Sequence, residues 1–240
     1  FSSSPHAICK SLVGKGWIHI LHQPKITDPF EIMAPGKSWD ITLSTEQQSV
    51  FNTIIKTENG FYPYLLHGVT GSGKTEVYLK LAQEAVGAKK SVLVLVPEIS
   101  LTPQVATRFR RAFGNKVALW HSRMTRAEKG WTWQRLKKGD FSIVVGARSA
   151  IFAPLENLGL IIIDEEQEAS YKQDNPVPRY HARDVAMVRG KYANATVLLT
   201  SATPSLESYY NALQKKFTLL KLTKRYGNSV YPSVEVVDMK

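Results

Sequence analysis

The stretch "YLLHGVTGSGKTEVY", residues 64–78, decides the fold: an apolar run, a turn carrying three glycines, then a Lys-Thr pair that opens a helical pattern. Its centre, GVTGSGKT at residues 68–75, has the spacing G-x-x-x-x-G-K-[ST] between a strand and a helix. Glycines at those positions let backbone N–H groups wrap phosphate oxygens, and the helix N-terminus behind them favours negative charge. The candidate phosphate cradle is therefore Gly68, Val69, Thr70, Gly71, Ser72, Gly73, Lys74 and Thr75. Lys74 is the residue that reaches the β- and γ-phosphates, and Thr75 places a hydroxyl on Mg²⁺.

Working outward, strands alternate with helices. The apolar runs YLLHG, SVLVLVP, KVALW, FSIVVG, LGLIIID, ATVLLT and FTLLKL are separated by helical patterns over 73–86, and near 100–113, 125–138, 181–191 and 204–215. Runs such as Val92 to Val96 and Leu160 to Ile163 are apolar without alternation, which suits a parallel sheet covered on both faces. The expected fold is α/β: a RecA-like P-loop domain with a mostly parallel sheet flanked by helices. It spans 39–240, and residues 1–38 form a separate short piece: an apolar-periodic segment, a Gly-Lys-Gly break, the strand-like WIHI and a Pro-spotted linker.

A second stretch, LGLIIIDEEQEASY at 158–171, drives an apolar strand into three adjacent acids. Close carboxylates repel unless a cation or solvent compensates them. In a phosphate-loop site, an acid at the C-terminal end of a neighbouring buried strand holds the Mg²⁺ that bridges the phosphates. Asp164 is placed for that role, and Glu165 for orienting the attacking water. Glu166 and Glu168 fit a solvated, charged face equally well.

Two further pieces favour a motor. TSAT, at residues 200–203, follows the strand ATVLLT, so the hydroxyls of Ser201 and Thr203 reach the same sheet edge as Asp164 and can report its state. LSTEQQ, before the cradle, supplies Gln47, whose amide has the donor and acceptor needed to read an adenine edge. The same pattern is a capping box, with Ser44 or Thr45 as the cap.

The balance of 31 Lys+Arg against 20 Asp+Glu, net charge +11, favours a polyanionic partner such as nucleic acid. A single cysteine, Cys9, excludes an internal disulfide and a thiolate zinc site, which fits a reduced cytoplasm. Neither a membrane span nor a signal-peptide core is evident. Besides a nucleic-acid motor, two other readings are a P-loop kinase or NTPase with no nucleic-acid track, and a DNA-binding adaptor with a vestigial nucleotide site. TSAT and the basic charge oppose the former, and intact Lys74, Thr75, Asp164 and Glu165 oppose the latter.

Taken together, GVTGSGKTEVY, LVPEISLTPQ, HS, VVGARSAIFAP, DEEQEASYKQ, RYHARDVA and TSATPSLES resemble the first motor lobe of the primosomal protein N′ family, the bacterial replication-restart DNA helicases of superfamily II. The resemblance covers about residues 40–240, and the WIHI region is similar to the tail of that family's winged-helix module. It implies a 3′-to-5′ ATP-driven translocase that uses Mg²⁺, loads on single-stranded and forked DNA, and works with primosome proteins and single-stranded-DNA-binding protein. It further implies a cytoplasmic, nucleoid-associated monomer.

In the resemblance, PEISLTPQ and GARSAIFAP line the single-strand track, which assigns Ser100, Thr102, Arg148 and Ser149 to DNA. The segment from Tyr171 to His181 corresponds to the family's aromatic-rich coupling loop and contributes Tyr171, Lys172, Arg179, Tyr180 and His181. Tyr180 also reads as an ordinary packing residue. One departure is Gln167, where the family has His after Asp-Glu-Glu: an amide still relays a hydrogen bond but cannot be protonated. The other is that the family's zinc module and second lobe, with its arginine finger, have no counterpart in these 240 residues, so the chain is expected to be a piece of a longer protein.

Overall fold

The computed structural model describes residues 5–19, 41–57, 60–97 and 104–225. The chain divides into two compact units, Phe1–Glu31 and Ile32–Lys240. In the first, helix α1 spans Pro5–Gly14. The strand expected at WIHI does not form over its described residues: Trp17 to His19 carry no strand pairing, and Trp17 is largely exposed. Strand propensity needs a partner to hydrogen-bond with, and the described residues supply none.

In the second unit, α2 (Thr45–Ile55) leads to strand β1 (Pro63–Gly68) and helix α3 (Lys74–Gly87). Then come β2 (Ser91–Leu95), α4 (Gln104–Phe113), β3 (Val117–Trp120), α5 (Arg126–Lys137), β4 (Ile143–Gly146) and β5 (Leu158–Asp164). A two-residue pair, β6 (Lys172–Gln173) and β7 (Tyr180–His181), precedes α6 (Ala182–Ala193), β8 (Thr196–Ser201), α7 (Leu206–Leu213) and β9 (Thr218–Leu222). Seven strands form one sheet in the order β3-β4-β2-β5-β8-β1-β9, and every pairing in it is parallel.

Burial explains the layering. Leu65, Leu93, Leu95, Ile161, Ile163, Val197 and Leu199 project to one face, where they pack with Leu136 of α5, Ala182 and Ala186 of α6 and Ala212 of α7. Their alternate neighbours Leu66, Val94, Ile162 and Leu198 are equally buried and project to the opposite face. Both faces are covered, so the central strands carry no polar alternation, as a parallel sheet requires. Two helices begin with reciprocal capping boxes, Ser44 with Gln47 on α2 and Thr125 with Glu128 on α5.

Parallel strands bring their C-terminal ends to one edge. Gly68, Asp164 and Ser201 close β1, β5 and β8, and the register aligns Asp164 with Thr200 and His67 with Ser201. That edge is where an open α/β sheet binds its ligands.

Candidate nucleotide site

The loop from Gly68 to Lys74 turns through two left-handed glycines, Gly71 and Gly73, both at φ 78°. At Gly73 the requirement is twofold: an added Cβ would lie 2.1 Å from Gln47 Nε2 and would adopt a conformation that L side chains resist. Gly73→Ala is therefore expected to cost about 1–2 kcal/mol in backbone strain alone and to push Gln47 off the loop. Thermal denaturation together with nucleotide titration checks this, and an unchanged variant would show that the loop tolerates another path.

Gln47 itself is buried and fully engaged. Its Oε1 accepts from Ser44 N–H at 2.8 Å, and its Nε2 donates to the carbonyls of Ser72 at 2.9 Å and Gly73 at 3.4 Å. In this arrangement both ends of the Gln47 amide, the group expected to read an adenine edge, close the capping box and hold the loop. Glu46 ties the same helix start to the end of the sheet. Its carboxylate accepts from Thr223 N–H, Thr223 Oγ1 and Lys224 N–H at 2.8–3.2 Å. Burial alone would raise the Glu46 pKa, but these bonds outweigh it and hold it below its ordinary value.

Within the loop, Lys74 is buried, its Nζ donating to Gly68 O at 2.8 Å and standing 4.0 Å from Glu165 Oε1. Ser72 Oγ is buried with no hydrogen-bond partner. A buried orphan hydroxyl beside an ammonium, at the start of a helix whose first amides have no intrahelical acceptor, is a donor set suited to phosphate oxygens. Val69 N–H donates to Leu222 O, which anchors the loop to the edge strand, and Thr70 and Gly71 are exposed at its tip.

Asp164 closes β5 and is 9% exposed. Thr200 Oγ1 donates to its Oδ1 at 2.6 Å, Tyr78 OH to its Oδ2 at 3.1 Å, and Tyr171 OH to its main-chain carbonyl at 2.6 Å. Burial raises the Asp164 pKa, the Thr200 bond opposes this, and the neighbouring Glu165 charge adds to the rise. Thr75 Oγ1 lies 3.1 Å from the same Tyr78 hydroxyl, so Thr75 and Asp164 share one partner. Burial drives the Tyr78 phenol well above its ordinary pKa, so it stays protonated at neutral pH. One hydroxyl and one carboxylate fit Mg²⁺, which keeps several waters and phosphate oxygens and needs no all-protein cage. Among the described residues there is no cluster of three or more His, Cys, Asp or Glu that could hold a metal.

Glu165 sits at φ 48°, an uncommon conformation for a non-glycine residue, and it turns the chain off the strand. Its Oε2 accepts from Gln167 Nε2 at 3.0 Å; Gln167 Oε1 accepts from Ser201 Oγ at 2.6 Å; and Ser201 Oγ accepts from Thr203 N–H at 2.8 Å. A continuous line of contacts thus runs from Lys74 through Glu165 and Gln167 to Ser201 and Thr203.

Glu166 is the main departure from the sequence reading. Far from lying on a solvated face, it is buried and accepts from Ser205 N–H at 2.7 Å, Ser208 Oγ at 2.8 Å, Ser205 Oγ at 3.0 Å and Arg183 Nη1 at 3.2 Å. Arg183 also donates to Ser205 Oγ at 2.7 Å, so its guanidinium is fixed between α6 and α7. Glu168 is half-buried.

The residues assigned to DNA fall into three groups. Ser100 and Thr102 lie outside the described residues. Arg148 and Ser149 stand just past β4, where Arg148 donates to the carbonyls of Ser170 and Lys172 and Ser149 Oγ accepts from Trp120 Nε1 at 3.2 Å. A cleft lined by Ser122, Ala147, Arg148, Ser149 and Ser170 opens there. Lys172, ion-paired with Asp174, and Arg179, donating to Asp174 O, are exposed, and Tyr180 meets Phe152 edge-on at 5.1 Å with Arg148 6.0 Å from its ring. Two members do something else. Tyr171 is 1% exposed, so its ring cannot stack on a base, and His181 Nδ1 accepts from Arg183 N–H as the N-cap of α6. Burial and the Arg183 charge both lower the His181 pKa.

Sequence reading missed Tyr78, Ser205 and Ser208, and the pairing of Arg183 with Glu166. For Tyr78 a signal existed: it lies three residues after Thr75, on the same helix face.

A family model for DEAD/DEAH box helicases matches residues 44–212. The chain is 45% identical to the replication restart protein PriA of Bacillus subtilis over 236 residues, covering 98% of this chain and 29% of that protein. It is 50% identical to the PriA of Chlamydia trachomatis over 200 residues, covering 82% of this chain and 27% of that protein. The chain therefore spans under a third of the length of these relatives. Among solved structures, RecG bound to a three-way DNA junction shares the fold at TM-score 0.57 and 24% identity, over 79% of this chain and 25% of that one. The UvsW helicase of bacteriophage T4 does so at TM-score 0.53 and 16% identity, over 92% of this chain and 77% of that one. No helix among the described residues is long and apolar enough to cross a membrane.

Proposed function

Because this chain belongs to the DEAD/DEAH box helicase family, we propose that it is the first motor lobe of an ATP-driven, 3′-to-5′ DNA translocase serving bacterial replication restart. The observation that carries this reading is the relay Lys74–Glu165–Gln167–Ser201–Thr203, which ties a phosphate cradle to the TSAT segment at one sheet edge. A small-molecule kinase has no need for such a relay, whereas a motor must pass the state of its nucleotide to a second ligand. Resemblance to replication restart proteins at 45–50% identity supports the biological setting. Single-stranded and forked DNA are then the substrates, single-stranded-DNA-binding protein and primosome proteins the partners, and the bacterial cytoplasm the place.

The roles of individual side chains follow from the geometry. Lys74, Ser72 Oγ and the N-terminal amides of α3 bind the phosphates, and Gln47 holds the loop in that shape. Thr75 and Asp164 would hold Mg²⁺, which would supply charge to neutralise the β- and γ-phosphates. Glu165, held by Gln167, orients the attacking water and receives its proton. Arg148, Ser149, Lys172, Arg179 and Tyr180 offer phosphate donors and an aromatic edge to a single strand in a sequence-independent way. Residues 1–38 are the end of an upstream DNA-binding module and a linker, and 39–240 the ATP-binding lobe.

Steady-state hydrolysis by the intact protein, with and without single-stranded DNA, tests the proposal, and absence of stimulation would overturn it. Gln167→His should keep stimulated turnover within a few-fold, since an imidazole can still bridge Glu165 and Ser201. Gln167→Ala should retain basal hydrolysis and lose most of the stimulation. Equal behaviour of wild type and Gln167→Ala would show that position 167 carries no coupling.

A further inference from the structure

Between the two residues assigned to Mg²⁺ stands a third, Tyr78, to which the phosphate-loop spacing gives no role. Tyr78 lies one turn after Thr75 on α3, so both project from the same side of the helix toward β5. It is completely buried, and its ring stacks on Phe109 of α4, with centroids 6.1 Å apart and planes 11° from parallel. Burial and that stack hold the ring in place against α4. Its hydroxyl reaches 3.1 Å to Thr75 Oγ1 and 3.1 Å to Asp164 Oδ2.

A phenol carries one proton, and only one of these two neighbours can accept it while the other donates. The phenol lies within donating reach of both oxygens; an ionised carboxylate only accepts, so when Tyr78 donates to Asp164 Oδ2 the Thr75 hydroxyl is left to donate to the phenol oxygen. This orientation has a consequence for metal binding. A threonine hydroxyl coordinates a cation through its oxygen lone pairs, which requires its proton to point elsewhere. Tyr78 supplies the acceptor that turns the proton away. At the same time it fixes one oxygen of Asp164, while Thr200 Oγ1 fixes the other at 2.6 Å and Tyr171 holds the main chain behind it.

We propose that the Tyr78 hydroxyl is the positioning group for the cation: it presets Thr75 and Asp164 as a pair and aims the lone pairs of Thr75 at Mg²⁺. The inference rests on the reading of residues 68–75 and Asp164 as an Mg²⁺-nucleotide site. Groups that orient a metal's ligands without touching it change metal affinity by roughly 10- to 100-fold when removed. Among the described residues the Tyr78 hydroxyl bonds Thr75 and Asp164 and not Lys74 Nζ, whose bond goes to Gly68 O, so phosphate binding should not register its loss.

The test is equilibrium binding of a fluorescent ATP analogue to the intact protein, titrated at fixed Mg²⁺, at graded Mg²⁺ and in EDTA. Tyr78→Phe keeps the ring and its stack on Phe109 and removes only the hydroxyl. We expect its affinity in EDTA to stay within about two-fold of wild type, and the Mg²⁺ concentration for half-maximal enhancement to rise by about 10-fold or more. Phe109→Leu, which loosens the ring without removing the hydroxyl, should give a smaller rise. An unchanged Mg²⁺ midpoint in Tyr78→Phe overturns the proposal and leaves the nucleotide site intact. A loss of binding in EDTA as large as that in Mg²⁺ overturns it too, because the hydroxyl would then support the cradle as a whole. If wild type itself fails to bind the analogue in either buffer, the nucleotide reading falls and this inference falls with it.

Discussion

Lys74→Ala should lower nucleotide hydrolysis by the intact protein by at least about 10²- to 10³-fold, the scale seen when one preorganised charge-stabilising donor is removed. The effect should be large because Lys74 is the cation built into the cradle, buried at the start of α3 and held by Gly68 O close to Glu165. In the low-dielectric interior its charge acts on developing phosphate charge with little screening. Truncation also strands Glu165 beside Asp164 with no ammonium between them and the loop. Steady-state turnover and binding of a fluorescent nucleotide are the two measurements. Turnover near that of wild type would show that residues 68–75 do not hold the phosphates.

The second large effect is on stability. Arg183→Ala should destabilise the fold by about 3 kcal/mol, in the range found when one partner of a buried ion pair is removed. Glu166 has a side chain with 0% exposure and would be left in the interior with Ser205 and Ser208 as its remaining donors. Those bonds satisfy its lone pairs without neutralising its charge, and burying an uncompensated carboxylate is the costly part. Urea denaturation checks the figure. A change under about 1 kcal/mol would mean that the three serine donors suffice. Because α6, α7 and the strand carrying Asp164 meet at Glu166, hydrolysis should fall as well when the site is assayed near the new unfolding midpoint.

The sequence by itself determined the parts that depend on neighbours along the chain. A phosphate loop is one contiguous turn, so its glycines, Lys74 and Thr75 are legible as a spacing, and the apolar runs on either side report burial on both faces of a sheet. The position of Asp164 followed because a parallel sheet brings every strand's C-terminal end to one edge. Even the capping box at Ser44 and Gln47 was readable, since both halves lie within one helical turn. What only the tertiary structure decided is which polar groups meet across the crossovers. Asp164, Glu165 and Glu166 are consecutive, yet one bonds Tyr78 and Thr200, the next bends back toward Lys74 at positive φ, and the third enters the core. Nothing local separates them: the burial of Glu166 depends on Arg183, Ser205 and Ser208, which lie 17, 39 and 42 residues away. Tyr171 and Gln47 illustrate the same limit. Their side chains have the chemistry to read a base, and the fold engages that chemistry on Asp164 O and on the loop carbonyls. A buried donor or acceptor must be satisfied by whatever the chain brings next to it, and that is a property of topology, which no window of sequence contains.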